Sequence, residues 1–327
     1  MQPTLKSIVS RFKNKKIAVW GDLILDEYVY TSAGRVSREA PVLVTEFEAN
    51  DYLLGGAGNV VMNLLTLGAS PLPVGFIGKD AAGATLRRLL VKNKISTAHL
   101  VEIGNFRTPL KSRILAGGDN TKKQQILRID TLPPDPVGAG SYRKMVKKLL
   151  AVMADCDLLI ISDYLGKTVR PEIFATLKTA FPDMICALDS RRNLLDFFGV
   201  TLATPNEPEF KSIFPQKKIV SDDDFIQAGG ELLEKMAAQG IVLKRGHKGM
   251  LVFPRAQKTQ VLDIYGTAQI VDVTGAGDTV LAVLGLGLAA GATLADAARL
   301  ANIAGGIVVM HEGAYPVGRQ ELLDALS

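Results

Sequence analysis

Short, unbroken apolar runs recur along this chain, separated by segments of helical period, and that alternation narrows the possible folds more than any other feature. Asp157 to Ser162 reads Asp-Leu-Leu-Ile-Ile-Ser, the pattern of a strand buried on both faces of a sheet. Lys16 to Trp20, Pro73 to Ile77, Met184 to Leu188, Val200 to Ala203 and Ile241 to Leu243 read the same way, while Gly58 to Leu67 and Ala81 to Lys92 carry helical period. This succession predicts right-handed βαβ crossovers and hence an α/β fold: a doubly wound, mostly parallel sheet with helices on both faces. Two regions break the pattern. Glu27 to Thr31 with Val42 to Glu48, and Pro109 to Leu115 with Gln124 to Asp130, alternate as half-exposed strands do. They predict a small β-sheet lid inserted near 27–48 and 108–130 of one domain spanning 1–327. Pro133 to Pro136 marks a loop within that domain.

Composition excludes several classes. The 327 residues are 47% hydrophobic and 22% charged, and the 31 glycines have no period, so a globular chain with a sizeable core is expected and collagen-like or low-complexity readings fail. No apolar run is long enough for a membrane span, and the basic stretch Met1 to Lys16 lacks an apolar core; a cytoplasmic protein without membrane association is expected. The net charge of +5 is modest and no Lys/Arg block is interleaved with aromatics, which argues against nucleic acid and suits phosphorylated small molecules. Cys156 and Cys186 lie in apolar segments without a CxxC spacing, as buried free thiols do. His99, His247 and His311 are scattered, and none is assigned to catalysis.

The segment with the most chemistry is Asp272-Val273-Thr274-Gly275-Ala276-Gly277-Asp278-Thr279, followed by a helical stretch to about Ala290. Glycines at 275 and 277 let backbone N–H groups approach an anion where a helix N-terminus leaves its donors unpaired and its dipole positive. Asp278, one residue on, is placed to accept a proton from a hydroxyl facing that anion. Charge stabilisation beside a positioned base is what phosphoryl transfer requires. A glycine turn with an Asp cap would explain a bare GxGD, but the full octad ahead of a helix disfavours that simpler account.

Three further segments have two readings each. Asn206 and Glu209, in Thr204-Pro205-Asn206-Glu207-Pro208-Glu209, face one side of a first helical turn. They suit Mg²⁺ held through water beside nucleotide phosphates, or they form an ordinary capping box. Gly55-Gly56-Ala57-Gly58-Asn59 opens a helix, either as a close backbone approach to a polyol with Asn59 hydrogen bonding, or as a structural turn. Asp22 and Asp26 follow the first strand, where α/β folds place ligand groups; they bind sugar hydroxyls or are solvated loop acids. Two motifs are decoys. Leu165-Gly166-Lys167-Thr168 imitates the end of a P-loop, but Ile161 stands where the first glycine must be. Gly285, Gly287 and Gly291 are off the dinucleotide spacing, and close helix packing explains them better.

Taken in order, these segments resemble the ribokinase-like (PfkB) carbohydrate kinases over essentially the whole chain: Gly21-Asp22, Gly55-Gly56 with Asn59, Pro205-Asn206 with Glu209, and Thr274 to Asp278. The resemblance implies a ribokinase-like body under a β lid that often forms the dimer contact. It also implies ATP over the C-terminal half, in-line transfer to a sugar hydroxyl, Mg²⁺, and a monovalent cation as an accessory. Within the family the chain is most similar to the kinases that phosphorylate a heptose 7-phosphate at C1 for lipopolysaccharide core synthesis. The residues behind this are Gly21 to Tyr28, Arg35 to Val42, Gly55 to Val60, Ser162-Asp163-Tyr164 and Asp278-Thr279-Val280.

Carried over, Asp22, Gly56, Asn59, Arg113, Asp163 and Lys167 would face the sugar phosphate, beside Asp26 and Gly55. Asn206, Glu209, Gly246, Gly249, Gly275, Gly277 and Asn302 would face ATP and magnesium, with Lys244 and Thr274 in the same nucleotide segments. The chain departs from the family pattern in three places. Asp189-Ser190-Arg191-Arg192 stands for Asp-Pro-Lys-Gly, Lys244-Arg245-Gly246-His247 for a Thr-Arg segment, and His311 to Tyr315 for Lys-Leu-Gly-Thr. At the first of these, Arg191 or Arg192 is expected to anchor the substrate's own phosphate with its planar fork of donors; the alternative is a pair of surface arginines. An adenylyltransferase domain sometimes fused to such kinases is absent from the sequence, so the kinase step alone is expected. The competing readings are a kinase for a fructose-, ribose- or tagatose-like sugar, and a non-catalytic sugar- or nucleotide-binding relative.

Overall fold

A computed structural model describes residues 4–118, 122–133, 136–266 and 270–326. Outside the described residues lie 1–3 of the basic N-terminal stretch, 119–121 of the second lid insertion and 134–135 of the proline loop. After a first helix, α1 (Leu5–Ser10), the chain enters β1 (Lys16–Gly21) and leaves it through two long strands, β2 (Leu23–Val36) and β3 (Leu43–Gly56). It returns by α2 (Ala57–Thr66) to β4 (Ser70–Val74), then β5 (Phe76–Gly78), α3 (Ala81–Lys92) and β6 (Val101–Ile103). A second excursion is β7 (Leu110–Gly117) and β8 (Gln124–Thr131). Next come α4 (Ala139–Met153), β9 (Leu158–Asp163), α5 (Pro171–Ala180), β10 (Cys186–Ser190), β11 (Leu202–Ala203), α6 (Glu207–Ile213) and α7 (Asp222–Lys235). The chain ends through β12 (Gly240–Lys244), β13 (Met250–Pro254), β14 (Gln260–Leu262), α8 (Ala276–Ala289), α9 (Leu294–Val308) and α10 (Arg319–Asp324).

The apolar runs become the centre of an eight-stranded sheet in the order β14-β13-β12-β11-β10-β9-β1-β4. Its strands are parallel from β12 to β4, and β13 and β14 add an antiparallel edge. This is the expected doubly wound, mostly parallel sheet. Alternate residues of each strand enter different cores: Ile17, Val19, Leu158 and Ile160 pack with α2, α8 and α9, whereas Ala18, Trp20, Leu159 and Ile161 pack with α4, α5 and α7. That two-sided burial, at ~1.5–3 kcal/mol for each large aliphatic side chain, is why the runs lack polar alternation. The chain leaves β1 toward β4 on one side and later places β9 on the other, with Gly21 opposite Ser162. The carboxyl ends of β1 and β9 therefore flank a topological switch point, where open α/β sheets bind ligands.

Three expectations need correction. The run 73–77 is two strands, because β4 stops at Val74 and β5 pairs with β6 in a separate two-stranded sheet. Gly75 passes so close to the Gly21 carbonyl that a side chain there would stand 2.8 Å from it. The lid strands are also longer than 27–31 and 42–48, since β2 and β3 each have 14 residues. Their inner ends (Leu23 to Leu25, and Leu54) are buried in the body, so they carry no polar alternation to reveal them. Finally, the antiparallel edge of β13 and β14 was not expected. The small side sheet is present as expected, and it has four strands in the order β3-β2-β7-β8; it is called the lid below. The later glycines serve packing: a side chain on Gly285 would stand 2.9 Å from Leu158, and one on Gly287 2.9 Å from Ala297 of α9. Cys156 and Cys186 are free thiols. Among the described residues no helix is long and apolar enough to cross a membrane.

Candidate active site

The segment 272–279 forms the turn into α8 and its first helical turn. Gly275 caps the helix at φ +80°, in the left-handed region, and a side chain on it would stand 2.6 Å from Asn59 Nδ2; glycine is required on both counts. The unpaired N–H groups of this helix start carry the positive end of the dipole. Asp278 follows in the first turn and is only 4% exposed. Its Oδ1 accepts a hydrogen bond from the Tyr164 hydroxyl and its Oδ2 one from Asn59 Nδ2, both at 2.9 Å. Burial is the main cause that pushes its pKa up to about 6; Asp189 adds to the rise, and the bonds from Asn59 and Tyr164 and the charge of Lys244 oppose it. Asn59 is itself held by Asn63, whose Nδ2 donates to the Asn59 carbonyl at 3.0 Å and whose Oδ1 accepts from Thr279 at 3.0 Å. A buried amide network thus sets the carboxylate.

Asp278 faces a cavity of about 190 Å³ bordered by the lid. The lid contributes Asp26, Lys111, Arg113 and Arg128, the entry to α2 contributes Gly55, Gly56 and Asn59, and the loop after β10 contributes Arg191. Arg113 Nη1 lies 2.6 Å from Asp26 Oδ1, with both side chains nearly covered. A side chain on Gly55 would run into that Asp26 carboxylate. Arg113 and Arg128 stand directly opposite one another across β7 and β8, an arrangement that is unfavourable unless anions intervene. Arg128 is paired with Asp130, and burial lowers the pKa of Lys111. Lys111 and Arg191 lie over the ring of Tyr164, at 5.1 and 4.4 Å from its centre. Four cationic residues against two carboxylates line the cavity, and that excess favours an anionic ligand.

A second cavity of about 360 Å³ lies on the other side of the same helix start. Asn206, Lys244, Gly246, Gly249, Gly277 and Asn302 line it, with apolar walls from Ile264, Ile270, Val273, Val280 and Val309. Lys244 Nζ lies 2.7 Å from Asp189 Oδ2 and 3.6 Å from where a side chain on Gly277 would begin. Asn302 also lines this cavity and donates to the Asp263 carbonyl at 2.7 Å. Gly275 and Asp278 belong to the smaller cavity, Ala276 and Gly277 to the larger. The first turn of α8 is where the two meet.

Several expected ligand residues also make structural hydrogen bonds. Asp22 lies outside the cavity facing Asp278 and lines a third one of about 90 Å³ beside it with Lys111, Tyr164 and Arg191; its buried carboxylate accepts the backbone N–H groups of Tyr164, Gly166 and Thr168 at 2.8, 2.8 and 3.0 Å. It holds the loop after β9, and burial, then the charge of Asp163, raises its pKa. Asp163 is likewise buried and bonds to Leu165 N, Ser190 Oγ and Asn193 Nδ2. Lys167 lines neither cavity; its backbone is left-handed at φ +73° and its carbonyl accepts from the Tyr142 hydroxyl. Thr274 lines the smaller cavity, not the nucleotide side, and gives its hydroxyl to Asp272 Oδ1. Asn206 and Glu209 form the reciprocal capping box of α6, so the simpler alternative is realised. Glu209 lines neither cavity, and burial followed by the charge of Asp189 raises its pKa. Arg191, not Arg192, lines the smaller cavity.

From the sequence, Tyr164 and Asp189 appear only within quoted motifs and carry no role, and Lys111 and Arg128 carry none either. Lys111 and Arg113 share a face by strand period, and that signal was available once β7 was foreseen. Among the described residues no group of three or more His, Cys, Asp or Glu could hold a metal ion by itself. A hydrated ion shared with phosphates needs only one or two carboxylates. Glu209 and Asp189, close enough for one charge to raise the other's pKa, fit that lesser requirement.

Residues 14–319 match a family model described as pfkB family carbohydrate kinase. The chain is 36% identical over 323 residues to the Bifunctional protein HldE of Citrifermentans bemidjiense, covering 98% of this chain and 65% of that protein. It is 35% identical over 313 residues to the Bifunctional protein HldE of Geobacter sulfurreducens, covering 94% and 62%. The chain thus spans less than two thirds of the length of these relatives. Among solved structures, Arabidopsis thaliana ribokinase complexed with ribose and ATP superposes with a TM-score of 0.73 at 18% identity, over 96% of this chain and 99% of that one. Escherichia coli phosphofructokinase-2 in complex with fructose-6-phosphate gives 0.77 at 19%, over 96% and 98%, and its complex with potassium 0.76 at 20%, over 96% and 98%. These structures share the ribokinase-like fold with the chain.

Proposed function

The chain belongs to the pfkB family of carbohydrate kinases, and from that premise we propose that it transfers the γ-phosphoryl group of ATP to a hydroxyl of a sugar already carrying a phosphate, with a heptose 7-phosphate becoming the 1,7-bisphosphate. The observation that carries the reading is the meeting of two cavities at the first turn of α8, with Asp278 on one side and Lys244 on the other. The larger cavity, with apolar walls and glycines at 246, 249 and 277, suits a nucleotide. The smaller, with its excess of cations, suits a sugar phosphate.

Asp278 accepts the proton of the sugar hydroxyl as its oxygen bonds to the γ-phosphorus and the bond to the β,γ-bridging oxygen breaks. The N–H groups of Gly275 and Gly277 would face the transferring group and stabilise its charge, whereas that of Ala276 is held by the Val273 carbonyl at 3.3 Å. Lys244 adds a positive charge at the same helix start. Glu209, Asp189 and Asn206 would hold a hydrated Mg²⁺, which when bound neutralises phosphate charge. Arg191, Lys111 and Arg113 would hold the substrate's own phosphate. The potassium complex of the bacterial neighbour supports a monovalent cation as an accessory, and the use of ATP supports a cytoplasmic location.

The test is a panel of acceptors with ATP: heptose 7-phosphate, fructose 6-phosphate, ribose, tagatose and the unphosphorylated heptose and fructose. The phosphorylated heptose should give the highest kcat/KM. Lys111→Ala and Arg191→Ala should each raise its KM roughly tenfold or more, as loss of a charge-assisted hydrogen bond does, and leave KM for ATP nearly unchanged. If neither variant distinguishes a phosphorylated sugar from its parent, the phosphate anchor is wrong. If no acceptor releases ADP, the chain is a non-catalytic relative.

A further inference from the structure

Tyr164 meets four charged groups. Its hydroxyl donates to Asp278 Oδ1 at 2.9 Å and its backbone N–H to Asp22 Oδ2 at 2.8 Å. Arg191 and Lys111 lie 4.4 and 5.1 Å from the centre of its ring. We propose that Tyr164 is a positioning residue, one that fixes the carboxylate of Asp278 and ties it to the cations receiving the substrate's anionic group. The inference rests on Asp278 being the base.

A carboxylate's last torsion is broad and roughly two-fold, so one hydrogen bond leaves its plane free. Here each oxygen has its own protein donor, Tyr164 on Oδ1 and Asn59 on Oδ2. The plane is thereby set, and the remaining lone pairs can meet a sugar hydroxyl. Both donors are held from behind, Asn59 by Asn63 and the Tyr164 backbone by the buried carboxylate of Asp22. A buried Asp22 that stands outside the cavity facing the base thus has a purpose: it anchors the loop that delivers the tyrosine. Burial, then the charge of Asp278, raises the phenol's pKa well above its ordinary value, so the hydroxyl remains a donor throughout the working range.

The ring does separate work. Cations settle over an aromatic face, so Arg191 and Lys111 are aligned before any substrate arrives. A phosphate drawn to them is then fixed at a set reach from Asp278. That reach selects an acceptor whose phosphate and reacting hydroxyl are the right distance apart. The charged groups around the base are Asp189 and Arg191 from β10 and the loop after it, Lys244 from β12, Asp26 from β2, Lys111 and Arg113 from β7 and Arg128 from β8. Tyr164→Phe alters none of these charges and keeps the ring.

The decisive measurement is an infrared titration of the Asp278 carboxyl in the protein without substrate, its band assigned by its loss in Asp278→Asn. Tyr164→Phe removes a bond that stabilises the ionised form, so the midpoint should move to higher pH. The acidic limb of kcat/KM with ATP and heptose 7-phosphate should move the same way, with a deficit of roughly tenfold at pH ~6.5 that shrinks at alkaline pH. Tyr164→Leu, lacking the ring as well, should also raise KM for the sugar phosphate, whereas Tyr164→Phe should not. An unmoved infrared midpoint in Tyr164→Phe overturns the proposal whatever the activity. If the midpoint is unmoved while Asp278→Asn is inactive, the base stands and only the positioning role falls. If Asp278→Asn turns over normally, both fall, and the hydrogen bond is merely structural.

Discussion

At the residue scale the site turns on one carboxylate held out of water. A base at neutral pH works best with a pKa near that pH, and Asp278 reaches about 6 chiefly by burial. The same shift has a stability consequence with a definite sign. The folded pKa lies above the unfolded value of ~3.9, so the folded state holds the proton more tightly. The ionised carboxylate therefore costs the fold ~3 kcal/mol at pH above about 6, and the cost fades as pH falls from there through the unfolded value. Asp278→Asn should lower kcat by ~10²–10⁴ while ATP binding is retained. Its urea-unfolding stability relative to the wild-type protein should also rise as pH increases from 4 to 7, by ~2–3 kcal/mol. Near-normal turnover in the folded variant would remove Asp278 from its role, and an unchanged pH dependence of stability would mean the carboxyl is not the strained group.

At the element scale, α6 combines a structural and a chemical duty that substitutions can separate. Glu209 accepts from Asn206 N, and Asn206 Oδ1 accepts from Glu209 N. Glutamine closes a capping box as well as glutamate does, so Glu209→Gln should leave the unfolding midpoint in place. It removes the charge that Mg²⁺ would need, and the magnesium concentration for half-maximal rate should rise several-fold. Asn206→Ala should instead cost the fold ~1 kcal/mol. An unchanged magnesium titration in Glu209→Gln would leave the cap as the pair's whole role. This element shows how far the sequence could be read. The spacing of Asn206 and Glu209 identified the helix start, but both readings use the same spacing, and the structure realises the capping one. Likewise the apolar runs revealed the central strands, because burial on both faces is written into each run. Asp22 and Asp163 stood at the right strand ends yet turned to loop N–H groups, since the direction of a carboxylate depends on which backbone donors the tertiary fold brings near. Lys111 is within reach of the strand period that puts it on the face of Arg113, but Arg128 is not, because its meeting with them needs the register of β7 with β8, including the shift at Ile114 and Leu115, and no local pattern encodes it.

At the scale of the whole molecule, the lid raises the question of a second copy. One face of its sheet carries Lys111, Arg113 and Arg128 toward the cavity. The alternation of β8 turns Leu127 and Ile129 the other way, and each is 53% exposed. Ile114 and Ser112 stand opposite them in β7, and Phe47 of β3 is 66% exposed. β3 and β8 are also the outer strands of the lid, and long edges beside exposed apolar side chains invite pairing. A four-stranded sheet projecting from the body has little core of its own. We therefore infer a homodimer in which two lids cover each other's outer faces. Sedimentation at micromolar concentration should then give a dimer, and Ile129→Lys should give monomers by burying a charge in the contact. Because the lid lines the smaller cavity and not the larger, the monomeric variant should show a raised KM for the sugar phosphate with KM for ATP little changed. A wild-type protein that is monomeric at that concentration and fully active would show that the lid closes alone. Equal loss of both KM values in Ile129→Lys would mean the substitution had disturbed the body and not the lid.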